Sequence, residues 1–185
     1  KMANFNKSYE LMLGFEFNNP KNALHKNPTE NGLTFMGIYE KAHPNWQGWE
    51  VVRATLYTTQ DIAQASTLLY KDAQTRALVA KFYREQFWNA MRGDEIISQH
   101  CANEIFCFAV NAGVKQAIKT AQRVVGVVDD GYFGGQTLRA LNSYDEAKFN
   151  KEYDRLELAY YNRLIEKNQK LAVYKKGWGR RATEI

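Results

Sequence analysis

The chain has 185 residues, of which 45% are hydrophobic and 14% aromatic, and its formal net charge is +5. A chain of this size buries about 70% of its unfolded surface, so neither a metal nor a disulfide is needed to hold it together. No apolar stretch approaches the roughly 18 residues of a membrane-spanning helix, which argues against stable membrane insertion.

The first predicted helix begins near Asn4 and carries an acid on its apolar face. One stripe with the i, i+4, i+7, i+11 spacing of a helix consists of Phe5, Tyr9, Met12 and Glu16. Apolar neighbours, and the negative end of a helix that must stop before Pro20, disfavour an ionised carboxylate. The sequence therefore predicts a raised pKa for Glu16, which a general acid working near neutral pH requires. The alternative is a helix-end Glu that turns to water or pairs with a lysine.

The next two segments read as a long loop and an aromatic cluster. Residues 18–37 are rich in Asn, Pro and Gly, which favours irregular structure with at most a small β-hairpin. Residues 38–59 are dense in aromatic side chains, including Tyr39 and Trp46. Several aromatic side chains beside a loop could stack on sugar rings, although ordinary core packing explains their density equally well.

Helical spacing dominates the remainder. Two helices are predicted over residues 61–91, with Asp61 as the N-cap, and a third over about 95–110 that ends at Asn111. A short helix, a turn-rich loop over 128–137 and one long helix over 145–174 complete the prediction. The fold class is therefore mainly α.

Cysteine and histidine usage indicates no metal. Cys101 and Cys107 are six residues apart on one predicted helix, so they face different sides and are expected to be buried, unpaired thiols. The three histidines show no metal-ligand spacing, and no nucleotide-binding fingerprint is present. We expect no cofactor.

The basic excess lies at the C-terminal end. Residues 148–185 contain ten basic and five acidic side chains, which accounts for the whole net charge. Such an end suits nucleic acid, an anionic membrane face or a cell wall that carries carboxylates and phosphates. Because acids and bases interleave at helical spacing, a solvated, salt-bridged helix face is the favoured explanation.

Four segments form a recognisable series. They are Phe15-Glu16 with residues 31–38 (NGLTFMGI), residues 82–88 with 105–113 (IFCFAVNAG), residues 128–141 (VDDGYFGGQTLRAL), and residues 160–165 with Gly177-Trp178. In order and spacing they resemble glycoside hydrolase family 108, the phage-endolysin and secretion-associated muramidases with a C-terminal peptidoglycan-binding region. The resemblance covers almost the full chain.

The resemblance implies a lysozyme-like, mainly α fold, with at most a small β-hairpin and a closely packed C-terminal helical region. The expected division is a catalytic region over residues 1–113 and a peptidoglycan-binding region over residues 114–185, or a single domain containing both. The implied activity is that of an N-acetylmuramidase that cleaves the glycan strand, with Glu16 as the general acid and no cofactor.

The remaining site candidates follow from the same comparison. The family's second acid aligns with Thr29, so Glu30 is the nearest carboxylate, and Thr34 offers a hydroxyl that can hold water. A solvent-facing loop Glu and a capping Thr are the alternatives. The candidates for substrate binding are Tyr39, Trp46, Asn111 and Tyr132.

Departures from the family pattern keep other functions open. Glu16 is followed by Phe17 and Asn18 rather than by paired glycines, and Cys107 replaces an Asp. A non-catalytic peptidoglycan-binding or secretion-assisting module of the same fold is one alternative. A basic helical adaptor for nucleic acid or a protein partner is another.

The favoured partner is the peptidoglycan glycan strand, bound by a monomer, with no nucleic acid. The segment Lys1–Asn4 lacks an apolar signal core. We therefore expect synthesis in the bacterial cytoplasm without a signal peptide, and action in the periplasm or cell wall after release through a holin or a secretion system.

Overall fold

The structure, a computed structural model, describes residues 1–26 and 31–185. In chain order its main elements are α1 (Phe5–Glu16), β1 (Leu24–Lys26), β2 (Leu33–Phe35), β3 (Ile38–Tyr39), α2 (Gly48–Thr59), α3 (Ile62–Lys71), α4 (Ala73–Tyr83), α5 (Gln99–Ala112), α6 (Val114–Val125), α7 (Gly135–Asn142), α8 (Glu146–Lys167) and α9 (Lys175–Thr183). The predicted mainly α architecture with only a small sheet is confirmed.

Two compact units make up the described chain. The small unit is Met12–Arg84, and the large unit combines Lys1–Leu11 with Glu85–Ile185. Helix α1 contributes its first residues to the large unit and its last residues to the small unit. Glu16 therefore belongs to the small unit, although its helix begins in the large one.

The small unit contains a three-stranded antiparallel sheet in the order β1-β2-β3. Its register aligns two rows across the strands: Leu24, Phe35 and Ile38, and His25, Thr34 and Tyr39. The first row is fully buried in the core of the unit. Because side chains alternate between the faces of a strand, the second row lies on the opposite face.

Helices α3 and α4 begin at aspartates that cap them. Asp61 accepts a hydrogen bond from the backbone N–H of Gln64, and Asp72 accepts one from that of Thr75. The two helices predicted over residues 61–91, with Asp61 as a cap, are thus confirmed. Buried Ser66 of α3 accepts a 2.9 Å bond from the N–H of Leu24, which joins this helix to β1.

The large unit is built around α5, which is buried over most of its length. Phe106 and Phe108 are fully buried on it, and Phe5 of α1 meets the ring of Phe106 edge to face. Buried Tyr153 of α8 donates a 3.1 Å hydrogen bond to the carbonyl of Ala117 in α6. This bond joins α8 to α6, and the Tyr153 ring also meets that of Phe108 in the central helix edge to face.

The final helix is shorter than its periodicity predicts. Instead of continuing to Tyr174, α8 ends at Lys167, and Asn168 accepts a bond from the backbone N–H of Lys170. An Asn that bonds its own neighbouring backbone competes with helix continuation, and this explains the break. A 3-10 turn then leads to α9, whose Trp178 stacks on Tyr161 with ring centroids 4.7 Å apart.

Both cysteines are buried and neither forms a disulfide, as expected from their spacing. The described residues contain no helix whose length and apolarity suit a bilayer; α8, the longest, carries charged side chains throughout.

Candidate functional site

Glu16 closes α1 and is half-buried. The other members of its stripe, Phe5, Tyr9 and Met12, are buried as their spacing predicts. The acid therefore continues a core-facing stripe at the point where the helix meets solvent.

The chain is fixed immediately after Glu16. The N–H of Phe17 still bonds to the carbonyl of Leu13 at 2.9 Å, and the hydroxyl of Tyr70 donates to the Phe17 carbonyl at 2.9 Å. The Phe17 ring lies against Gly37, where an added Cβ would come within 2.9 Å of Phe17 Cζ. The C-terminal end of α1 is thus held to the turn between β2 and β3.

That turn is itself held in an uncommon conformation. Met36 and Gly37 both have positive φ, 44° and 80°, as a tight two-residue hairpin turn requires. Glycine adopts this conformation without strain, whereas a non-glycine residue such as Met36 does so at a cost. A buried bond from the Tyr83 hydroxyl to the Met36 carbonyl, 2.7 Å long, holds the turn in place.

Two predicted site residues lie side by side on the hairpin. Thr34 of β2 and Tyr39 of β3 are cross-strand partners; Thr34 is 8% exposed and Tyr39 is half-buried. The Tyr39 ring also lies against Gly32, at which an added Cβ would approach Tyr39 Cε2 to 3.0 Å. The structure therefore brings together a hydroxyl and a phenol ring in the same row of the sheet.

His25 is a polar neighbour that the sequence did not single out. It pairs with Thr34 from the other side, completing the row, and is half-buried. Its Nδ1 lies 3.2 Å from the carbonyl oxygen of Asn22, so this nitrogen carries the hydrogen in the neutral ring. Nε2 is then the acceptor. Only the strand register, which the sequence does not give, reveals this placement.

Trp46 packs with the opposite row. Its ring stacks with that of buried Phe35 at a centroid distance of 6.3 Å and meets Trp49 edge to face. Its indole N–H points to the carbonyl of Leu78 at a long 3.4 Å. Because Phe35 belongs to the core row, the structure separates Trp46 from the face that carries Thr34 and Tyr39.

Glu40 is a carboxylate beside the hairpin that the sequence analysis missed. One of its oxygens accepts from Arg53 and the other from the N–H of Leu33. The hydrogen bond from Arg53, followed by that from Leu33, lowers the pKa of Glu40 below its ordinary value. Glu40 is therefore an ionised side chain that ties the residue after β3 to the start of β2. It is unsuited to donating a proton.

The other sequence-predicted residues lie elsewhere. Glu30 falls outside the described residues. Asn111, near the end of α5, and Tyr132, in the loop before α7, belong to the large unit and are exposed. Neither is part of the row formed by Thr34 and Tyr39.

The large unit contains buried acids, one of which, Glu157, lies in the segment predicted to form a solvated helix face. Glu104 of α5 and Glu157 of α8 are 2% and 1% exposed. Burial is the main cause that raises the pKa of Glu157 to about 8, against a hydrogen bond from Tyr161 that lowers it. These acids are buried because α5 and α9 cover one side of α8.

Glu104 and Asp154 form an acid pair within that cluster. Burial raises the pKa of both, and the charges of Asp154 and Glu157 raise that of Glu104 further. Glu104 Oε2 and Asp154 Oδ1 are buried without a donor, yet the two side chains are in hydrogen-bonding contact. Two carboxylates can only accept, so a shared proton is required.

Across residues 1–26 and 31–185, no three His, Cys, Asp or Glu side chains converge as a metal site would need.

Comparisons with known proteins match the chain in two adjoining stretches. A model of glycosyl hydrolase 108 matches residues 24–113, and a model of a predicted peptidoglycan domain matches residues 116–183. The solved structure of SagA from Brucella abortus is similar with a TM-score of 0.66 and 25% identity, over 97% of this chain and 90% of the SagA chain. No curated protein matches.

The site candidates distribute over these stretches. Thr34, Tyr39, Trp46 and Asn111 lie in the glycosyl hydrolase stretch, and Tyr132 lies in the peptidoglycan stretch. Glu16 precedes the first matched residue.

Proposed function

This chain belongs to glycoside hydrolase family 108 and carries a peptidoglycan-binding region, and we propose that it is an N-acetylmuramidase whose general acid is Glu16. The two matched stretches support a peptidoglycan hydrolase of the lysozyme type that acts on the cell wall. The residue roles and the bond that is cleaved are the proposal.

The observation that carries the proposal is the anchoring of Glu16. The acid is half-buried at the end of α1, and the next residue, Phe17, is tied to Tyr70 and to the hairpin turn at Gly37. A proton donor must be held within hydrogen-bonding reach of the leaving oxygen, which requires a fixed backbone.

The chemistry is proton transfer with departure of a sugar hydroxyl. The Glu16 carboxyl gives its proton to the glycosidic oxygen, the bond from that oxygen to C1 of N-acetylmuramic acid breaks, and N-acetylglucosamine leaves. Water then adds to the positively charged C1 and loses a proton. The electron pair of the broken bond stays with the protonated leaving oxygen.

A second group must serve the water or the charged sugar. Glu30 is proposed to activate the water or to stabilise the developing charge, and Thr34 to orient the water through its hydroxyl. The position of Thr34 beside Tyr39 in one row of the sheet supports this role. Glu40 is left out of this role because Arg53 and Leu33 engage both of its oxygens.

Three side chains are proposed to contact the glycan, and a fourth, Trp46, to support the hairpin that carries one of them. Tyr39 would stack on a sugar ring beside Thr34, whereas Trp46 supports the hairpin from its core side through Phe35. Asn111 would hydrogen-bond an acetamido group, and its exposure agrees with this role. Tyr132 would bind in the peptidoglycan-binding region. On this proposal residues 1–113 act as the catalytic region and residues 114–185 as the binding region.

The test is digestion of purified peptidoglycan with measurement of new reducing ends. Glu16→Gln should abolish release, because the amide has no proton of suitable acidity to give. Glu10→Gln is the matched control, since Glu10 is an exposed acid on the same helix. Equal release by Glu16→Gln and the unchanged chain would refute the assignment.

A non-catalytic peptidoglycan-binding module remains the second candidate. It is favoured by the absence of paired glycines after Glu16 and by a hydrolase match that begins at residue 24. Co-sedimentation of the chain with peptidoglycan, without reducing ends from either the unchanged chain or Glu16→Gln, would establish this alternative.

A further inference from the structure

Tyr132 is an exposed ring on a rigid loop. The ring is 75% exposed, yet the loop beneath it is fixed by Gln122, which is 1% exposed. The Gln122 amide nitrogen lies 2.9 Å from Asp130 Oδ1 and 3.0 Å from the Tyr132 carbonyl, and its oxygen accepts from the N–H of Gly131 at 2.9 Å. The exposed ring therefore loses little conformational freedom when a ligand binds.

Arg92 lies on a second fixed segment of the same unit. It has φ 52° and ψ 42°, a left-handed conformation that glycine or asparagine would adopt more readily. The next residue, Gly93, is buried beneath the ring of Trp88, whose indole N–H bonds to Asp94 at 2.9 Å. An arginine kept at a strained and rigid position points to a use for its guanidinium.

The guanidinium groups of Arg92 and Arg139 converge. A Cβ placed on Gly135 would lie 3.2 Å from Nη1 of Arg139 and 3.9 Å from Nη1 of Arg92. Glu95 engages Nε and Nη2 of Arg92, at 2.7 and 2.6 Å, and so leaves Nη1 directed toward Gly135. Within the described chain no acid pairs with Arg139, which is exposed on α7.

The Tyr132 ring borders this pair of arginines. A Cβ on Gly134 would lie 3.3 Å from Tyr132 Cε1, so the ring flanks the backbone that leads into α7. One ring face and two cationic groups thus border the same short stretch, Gly134 and Gly135.

We propose that Tyr132, Arg92 and Arg139 form a recognition surface for a carboxylate-bearing sugar–peptide unit of peptidoglycan. The two Nη1 groups bind the oxygens of one carboxylate, and the Tyr132 ring packs on the adjoining sugar or peptide. This inference rests on the proposed function because it takes peptidoglycan as the ligand. It goes further by naming the carboxylate as the chemical group that the binding region recognises.

The nearby charges favour an anion over a neutral sugar alone. The acids that border the surface are already engaged: Glu95 by Arg92, Asp129 by Arg123, and Asp130 by Gln122 and the N–H of Tyr132. Lys115 adds a further cation beside Gly131. An incoming carboxylate therefore meets an unpaired Arg139, whereas the bordering acids are already bound to other groups.

The test uses the full chain carrying Glu16→Gln, so that the polymer is not cut during the measurement. Its binding to purified peptidoglycan is compared with binding to the same material after amidation of the carboxylates. We expect amidation to weaken binding about tenfold, the effect of losing one charge-assisted contact. Arg139→Gln should weaken binding to untreated material to the same extent and make it insensitive to amidation.

Arg163→Gln is the matched control, because Arg163 is an exposed arginine on α8 within the same peptidoglycan stretch. Tyr132→Ala should also weaken binding, whereas Tyr132→Phe should retain most of it. If Arg139→Gln binds like Arg163→Gln, or if amidation has no effect, the recognition surface is refuted. Reducing ends released by the chain with Glu16 intact would then show that the muramidase proposal survives. If the chain that carries only Glu16→Gln does not bind untreated peptidoglycan, the recognition surface is refuted as well.

Discussion

The hydroxyl of Tyr83 donates a buried 2.7 Å hydrogen bond to the main-chain carbonyl of Met36. This bond joins the last residue of α4 to the strained turn between β2 and β3. Through Gly37, the same turn contacts Phe17, the residue after Glu16. The position of the proposed acid therefore depends on a hydrogen bond made far away in the sequence.

Removing that hydroxyl should destabilise the protein. Tyr83→Phe keeps the ring but leaves a buried carbonyl without its donor, which costs about 1–3 kcal/mol of unfolding free energy. Tyr57→Phe, at an 84% exposed tyrosine, is the control and should change stability by less than about 0.5 kcal/mol. Urea denaturation measures both. Equal stability of the two variants would mean that the bond does not hold the turn.

Gly37→Ala should reduce both stability and muramidase activity. The residue has φ 80°, and its new Cβ would crowd Phe17 and Tyr83, so a loss of more than about 1 kcal/mol is expected. Because Phe17 must shift, Glu16 is displaced as well and the rate of reducing-end release should fall. The measurements are thermal unfolding and peptidoglycan digestion under conditions in which the variant is folded.

Gly14→Ala provides the opposite control. Gly14 is an exposed residue within α1, and a Cβ there meets nothing within 4 Å. Alanine is favoured over glycine in a helix interior by about 0.5–1 kcal/mol, so this variant should be more stable with unchanged activity. If Gly37→Ala behaved like Gly14→Ala, the turn would have no role in placing Glu16.

The buried acids predict that stability falls as pH rises. The folded state raises the pKa of Glu157 from an ordinary 4.5 to about 8, so it binds more protons than the unfolded chain throughout that interval. Stability from the protonated carboxyl is fully present near pH 4.5 and is lost as pH rises toward 8. The expected loss is on the order of 2–4 kcal/mol, measured by urea denaturation at several pH values.

Glu157→Gln isolates this effect. The amide cannot ionise and can still accept the bond from Tyr161, so the slope of stability against pH should become shallower and stability at pH 8 should rise. Glu152→Gln, at an acid of the same helix whose side chain is 42% exposed, should leave the slope unchanged. An unaltered slope in Glu157→Gln would show that Glu157 ionises in the folded protein as it does in the unfolded chain.

Gln122→Leu should loosen the loop that carries Tyr132. The substitution removes the acceptor for Gly131 N–H and the donor to the Tyr132 carbonyl, at a cost of about 1–3 kcal/mol. Peptidoglycan binding should weaken because the ring must then be ordered on binding. Gln136→Leu, at an exposed position in the same region, is the control for co-sedimentation and unfolding. Unchanged binding by Gln122→Leu would remove the role assigned to the rigid loop.

Local signals in the sequence predicted much of the fold. The stripe of Phe5, Tyr9 and Met12 indicated the buried face of α1, and Asp61 marked the start of α3 through its capping oxygen. Such features depend on residues three or four positions apart, which share a helix face or a cap. The family followed from segments whose order is a property of the sequence alone.

Features that depend on long-range packing were not predictable. The place of His25 beside Thr34 requires the strand register, and the burial of Glu157 requires knowing that α5 and α9 cover its helix. Alternating charges predicted a solvated face for α8, which is wrong at Glu157. The break after Lys167 was missed because a single Asn cap interrupts an otherwise continuous helical pattern.

The central claim is that Glu16 protonates the bond between N-acetylmuramic acid and N-acetylglucosamine. The most direct test digests peptidoglycan, reduces the new ends with borohydride and identifies the reduced sugar by mass spectrometry. The unchanged chain and Glu10→Gln should yield reduced N-acetylmuramic acid, and Glu16→Gln should yield none. Reduced N-acetylglucosamine as the new end, or equal yields from Glu16→Gln and Glu10→Gln, would contradict the account.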